Sequence, residues 1–127
     1  MSYARISDAL RDLVFDQRLT VEDAMDKYFA ADYGHRNSGI ARTRAEFAAM
    51  ATGAREEIAH GTVTVLDEFR DGDRYSERHV LEVVKRDGST ERAEIYIIGR
   101  FADDGRFASL NEAGFPLPDD ADAEAVR

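Results

Sequence analysis

The run "RAEIYIIGRFADDGRFASLNEAG", residues 92–114, decides how the chain folds. Both of its ends are rich in β-branched and aromatic residues, and "ADDGR" (102–106) between them is an Asp-Gly hairpin turn. The same grammar continues towards the N-terminus. "TVTVLDEF" (62–69) and "YSERHVLEVVKR" (75–86) read as strands, with turns at "RDGDR" (70–74) and "KRDGST" (85–90). The second half is therefore a meander of four antiparallel strands.

The first half carries helical spacing instead. In "RISDALRDLVFDQRL" (5–19), Ile6, Leu10, Leu13 and Val14 recur on one face. Thr20 caps "TVEDAMDKYFAADY" (20–33), whose apolar face is Val21, Ala24, Met25, Tyr28 and Phe29. "TRAE" (43–46) is a capping box opening a third helix, with Phe47, Met50, Ala54 and Ile58 on one stripe and His60-Gly61 closing it. Helices followed by a meander predict an α+β fold, and a curved sheet would make it a cone. Three N-terminal helices pack on a curved, mainly antiparallel sheet around an internal cavity.

With 127 residues and 43% apolar content, the chain is sized for one globular domain, expected over residues 1–116. "PLPDDADAEAVR" (116–127) lacks apolar periodicity, so 117–127 is expected to be an acidic flexible tail. The net charge of −9 argues against nucleic-acid and anionic-membrane partners, which need a basic face. No cysteine is present, which excludes disulfides and thiolate chemistry. The N-terminus has no signal-peptide core and no run approaches membrane-spanning length, so a cytoplasmic protein is expected. His60 and His79 have no acid at ligand spacing, so no metal is expected; no phosphate loop or dinucleotide fingerprint appears, so no cofactor is expected.

Three segments together resemble the nuclear-transport-factor-2-like superfamily, SnoaL-like group: "DKYFAADYGHRNSG" (26–39), "TRAEFAAM" (43–50) and "IYIIGRFADDGRFASLNE" (95–112). The resemblance covers roughly residues 5–114. Polyketide cyclases, ketosteroid isomerases and limonene epoxide hydrolases share this fold, as do non-catalytic modules. It implies a cone-shaped cystatin-like roll, a small apolar ligand in the cone and a homodimer through the outer sheet face.

Strand alternation sorts side chains by face. Ala93, Ile95, Ile97 and Gly99 suit the cavity, and Glu94, Tyr96, Ile98 and Arg100 suit a dimer interface. On "YSERHVLEVV", one face carries Ser76, Arg78, Val80, Glu82 and Val84, and the other Tyr75, Glu77, His79, Leu81 and Val83. "SERHVL" (76–81) resembles the limonene epoxide hydrolases and places Arg78 at their cavity arginine. Val80 then falls where an aspartate should be and Glu112 near the second acid. That breaks the two-acid relay, so epoxide hydrolysis is rejected. Tyr33 and His35 match positions before the third helix. The candidate catalytic set is His35, Glu112 and Arg78. The candidate ligand wall is Tyr33, Val80, Ile95, Ile97, Leu110, Phe29, Phe47 and Met50.

Each polar candidate also has a structural reading. His35 is either a hydrogen-bonded histidine at a strand end or a cavity base, since an imidazole titrates near neutral pH. Arg78 with Glu112 is either a strut fixing sheet register or a ligand clamp, and Glu82 competes as Arg78's partner. The expected function is binding of a small, apolar, oxygenated molecule with cyclase- or isomerase-type proton transfer. The alternative is a non-catalytic binding or dimeric interaction module. A third reading has Glu112 as the sole acid of a hydrolase or dehydratase.

Overall fold

The computed structural model describes residues 2–118, so residues 119–127 of the expected tail lie outside the described residues. Helix α1 (Ile6–Leu10) runs directly into a π-helical turn (Arg11–Phe15), followed by α2 (Val21–Tyr28). Strands β1 (Phe29–Asn37) and β2 (Ile40–Thr43) precede α3 (Arg44–Glu57). Then come β3 (Ile58–Asp71), β4 (Arg74–Lys85), β5 (Thr90–Phe101) and β6 (Phe107–Pro116). The fold is α+β, with three helices packed on one six-stranded sheet of order β2-β1-β6-β5-β4-β3.

The meander forms as its turn residues dictate. Gly72, Gly88 and Gly105 follow an aspartate in each hairpin and take φ of +61°, +88° and +87°, a region that costs other residues strain. Thr20 accepts a 3.0 Å bond from the Asp23 amide. Thr43 and Glu46 form the complete capping box, each side chain bonded to the other residue's amide. These caps satisfy N–H groups that helix geometry leaves without partners.

Two boundaries differ from the sequence expectation. Helix α2 ends at Tyr28, and Phe29 is already extended at φ −125°, ψ 134°. Residues 29–37 form β1, which lies parallel to β6 with His35 opposite Leu110 and Asn37 opposite Glu112. Spacing of 29 to 33 satisfies a helix face and a strand face alike, so pattern alone could not choose. Pairing with β6 chose, helped by Gly34 and Asn37, which are poor helix formers. Likewise α3 ends at Glu57. His60 and Gly61 lie in β3, paired with Val84 and Val83, instead of closing the helix.

One aromatic cluster joins helices to sheet. Phe101 stacks on Phe107 at 5.3 Å, Phe107 lies 5.9 Å from Phe29, and Phe29 meets Phe47 of α3 edge-on at 5.2 Å. Gly99 lets β6 approach closely, because a Cβ there would sit 2.6 Å from the Ser109 carbonyl oxygen. A register shift in β3 between Val65 and Asp67, and another in β1 between Phe29 and Gly34, bend the sheet round the helices. Leu117, at the start of the expected tail, donates its amide to Arg92 O at 2.9 Å. Among the described residues no helix is long and apolar enough to cross a membrane.

Candidate functional site

The concave face of the sheet and the helices enclose a cavity of about 270 Å³. The first helical segment contributes Ile6, Ala9, Leu10 and Leu13, and α3 contributes Phe47. Phe29 and Leu110 close one side, while Leu81, Ile95 and Ile97 form the sheet floor. Four polar side chains reach this otherwise apolar wall: His35, Asn37, His79 and Glu112. A larger groove of about 650 Å³ lies outside, by the N-terminus, among Arg5, Asp8, Arg11 and Asp12. It is open and its charges are largely paired with one another, so the chemistry concentrates in the smaller cavity.

The parallel register of β1 on β6 builds the first polar cluster. His35 Nδ1 lies 2.7 Å from the Tyr33 hydroxyl, and both side chains are buried. No other partner of that hydroxyl is present among the described residues. A buried O–H must donate, so Tyr33 donates to Nδ1 and the proton of neutral His35 sits on Nε2. Nε2 is buried, lacks a hydrogen-bond partner among the described residues and lies 3.4 Å from Glu112 Oε1. That same carboxylate oxygen accepts from Asn37 Nδ2 at 2.9 Å. The imidazole packs on Phe47, with ring centroids 4.4 Å apart. Burial holds the Tyr33 phenol far above its ordinary pKa, with a smaller contribution from the Glu112 charge, so Tyr33 stays protonated.

A second cluster stands on β4. His79 Nδ1 lies 2.6 Å from Glu77 Oε1, and the two side chains are 2% and 0% exposed. The other oxygen of Glu77 has no hydrogen-bond partner among the described residues. Burial raises the Glu77 carboxyl pKa, the His79 bond and charge pull it back, and Glu68 and Glu112 push it up further.

The structure places each candidate as follows. His35 and Glu112 meet, and Phe29, Phe47, Ile95, Ile97 and Leu110 line the cavity. Tyr33 stands behind His35 and reaches the cavity only through it. Arg78, Val80 and Met50 are corrected. Because His79 and Leu81 point inward, their neighbours Arg78 and Val80 must point outward; the resemblance set the strand one residue out of phase. Arg78 ion-pairs with Asp67 at 2.8 Å and with Glu94 at 3.8 Å. Val80 is buried on that outer face, in register with Thr64 and Glu94. Met50 is 42% exposed, because α3 turns Phe47 and Ala51 inward instead. Sequence reasoning missed Asn37, Glu77 and His79 as site residues. The signal for the pair was an acid and a histidine two apart on one strand face, flanked by Tyr75 and Leu81.

No family model matches the sequence, and no curated protein does. Solved structures do match. A candidate polyketide cyclase from Acidithiobacillus ferrooxidans is 14% identical over 90% of this chain and 91% of its own, with TM-score 0.69. IdmH, a candidate polyketide cyclase from Streptomyces antibioticus, is 15% identical over 93% and 92%, with TM-score 0.65. A protein with a ketosteroid isomerase-like fold from Catenulispora acidiphila, solved with trimethylamine, is 17% identical over 90% and 86%, also at 0.65. The chain thus has the nuclear-transport-factor-2-like fold that ketosteroid isomerase-like proteins and polyketide cyclases share.

Proposed function

We propose that the protein binds a small, apolar, oxygenated molecule in this cavity and moves a proton on it, as a cyclase or isomerase does. The observation that carries this reading is the buried Tyr33–His35 pair set against Glu112 in a wall of apolar side chains. A volume of about 270 Å³ lies just below the usual range for drug-sized ligands, so the occupant is a one- or two-ring molecule. His35 Nε2–H is placed to hold an oxygen, and Glu112 to take or return a proton. Arg78 has no part in it.

A thermal-shift screen with cyclic ketones, phenols, small terpenoids and steroids tests the binding. One- and two-ring compounds are expected to stabilise the protein by about 2.7 kcal/mol at 100 times their dissociation constant. Ala9→Trp, which fills the cavity, should remove the effect. Stabilisation that persists in Ala9→Trp, or none with any compound, refutes the pocket. The proton transfer is read by deuterium exchange from solvent into a bound ketone, lost in Glu112→Gln.

A binding-only role is the second reading, favoured by the 2.9 Å bond from Asn37 Nδ2 that braces one Glu112 oxygen. Ligand binding without exchange in the wild type would select it. On the outer face, Phe69, Tyr96, Ile98 and Phe115 are exposed at 66%, 45%, 65% and 47%. This apolar patch supports the second part of the proposal, a homodimer through that face.

A further inference from the structure

Charge sets this cavity apart from an ordinary apolar pocket. None of its lining residues is a lysine or an arginine, yet Glu112 reaches it from β6. His79 is paired with Glu77 at 2.6 Å, so that pair brings no net positive charge wherever its proton sits. Asn37 stands opposite Glu112 in the parallel register and holds Oε1 of the carboxylate at 2.9 Å. Among the described residues Oε2 has no hydrogen-bond partner. The Glu112 charge is felt on two walls. Behind the larger effect of burial, it helps raise the pKa of Tyr33 on β1 and of Glu77 on β4.

A neutral ring entering such a cavity strips water from the carboxylate and returns no charge. A protonated amine offsets that loss, because its N–H groups donate to the carboxylate in apolar surroundings. A second group fixes where the amine sits. The Nε2–H of His35 lies 3.4 Å from Glu112 Oε1, on a side chain only 3% exposed, and lacks a hydrogen-bond partner among the described residues. An oxygen on the ligand takes that donor, and an ammonium on the neighbouring carbon takes the carboxylate. Leu10, Leu13, Phe47, Leu81, Ile95 and Ile97 supply apolar contact to the skeleton.

We propose that the cavity selects a cation: an apolar skeleton of one or two rings that carries a protonated amine beside its oxygen. Glu112 holds the ammonium and His35 holds the oxygen. This rests on the pocket reading and adds the charge of the ligand to it.

Three indanes of similar shape separate the contributions: 2-indanol, 2-aminoindane and cis-1-amino-2-indanol. Near pH 7 both amines are protonated. Calorimetry on the wild type is expected to give 2-aminoindane a dissociation constant about tenfold below that of 2-indanol, or about 1.4 kcal/mol. The amino alcohol should bind tightest of the three. The net charge of −9 also draws amines to the surface. The titrations are therefore repeated in 1 M salt, where the screening length is about 3 Å and exposed pairs weaken far more than buried ones. The preference for amine over alcohol should survive the salt. It should vanish in Glu112→Gln and remain in Glu22→Gln, which removes an exposed charge on α2. The wild-type comparison stands if Glu112→Gln fails to fold. An amine no tighter than the alcohol, a preference that fades in salt or persists in Glu112→Gln, or an amino alcohol no tighter than the simple amine overturns the inference and leaves the pocket standing. If none of the three binds, both fall.

Discussion

Tyr33→Phe is the sharpest test of how β1 is built. The ring would remain, so its contacts with Phe29 at 4.6 Å and Phe47 at 5.3 Å persist and no cavity opens. Only the hydroxyl is lost, and with it the 2.7 Å bond to His35 Nδ1. His35 is 4% exposed, so water does not replace the donor. Leaving one buried acceptor unpaired costs about 1–3 kcal/mol. A small domain with a urea slope of about 2 kcal/mol/M should then lose about 0.5–1.5 M in midpoint, with the slope unchanged. Equilibrium urea unfolding followed by tyrosine fluorescence and circular dichroism measures this. Nitrogen-15 spectra of the same variant should show the His35 Nδ1 resonance move, because that nitrogen has lost its hydrogen-bond donor. A loss below about 0.5 kcal/mol with His35 unmoved would refute both the bond and the tautomer derived from it.

Phe47→Ala should cost about 2–4 kcal/mol and abolish ligand-induced thermal shifts, while Met50→Ala stays within about 0.5 kcal/mol with binding intact. Calorimetry on both variants distinguishes wall from surface. Glu77 sets a pH dependence. Its folded pKa is raised above the ordinary 4.5, so the folded state holds this proton more tightly than the unfolded one. Its contribution to stability is greatest below that ordinary value and falls as pH rises through the raised one. Glu77→Gln cannot ionise, so its melting temperature relative to wild type should climb across that window; a flat or falling difference contradicts the shift. Ile98→Asp places a charge on the exposed outer patch, and sedimentation is expected to show a dimer for the wild type and a monomer for the variant. A monomeric wild type refutes the interface.

The four-strand meander was legible because its signals are local. Asp-Gly turns and β-branched runs act over a few residues, as does the Thr43–Glu46 box, and each formed where the sequence placed it. Alternation also put Ile95 and Ile97 on the cavity side, since apolar side chains on β5 share one face. The fate of residues 29–37 was not legible. Their partner, β6, lies more than seventy residues away in register, and no local pattern encodes that parallel pairing. The phase of β4 failed for a related reason. Both of its faces carry charged and apolar residues, so alternation gave two sets without saying which one the helices cover.

The sequence by itself determined the α+β class, the hairpins, the capped helices and the nomination of His35 with Glu112. The tertiary structure alone decided that these two meet, that Arg78 turns away to Asp67, and that His79 with Glu77 enters the cavity. The physical reason is range. Turns, caps and periodicity are written within a few neighbouring residues. The identity of a side chain's partner depends on which strands pair and which face the helices bury, and that is settled only when the whole core packs.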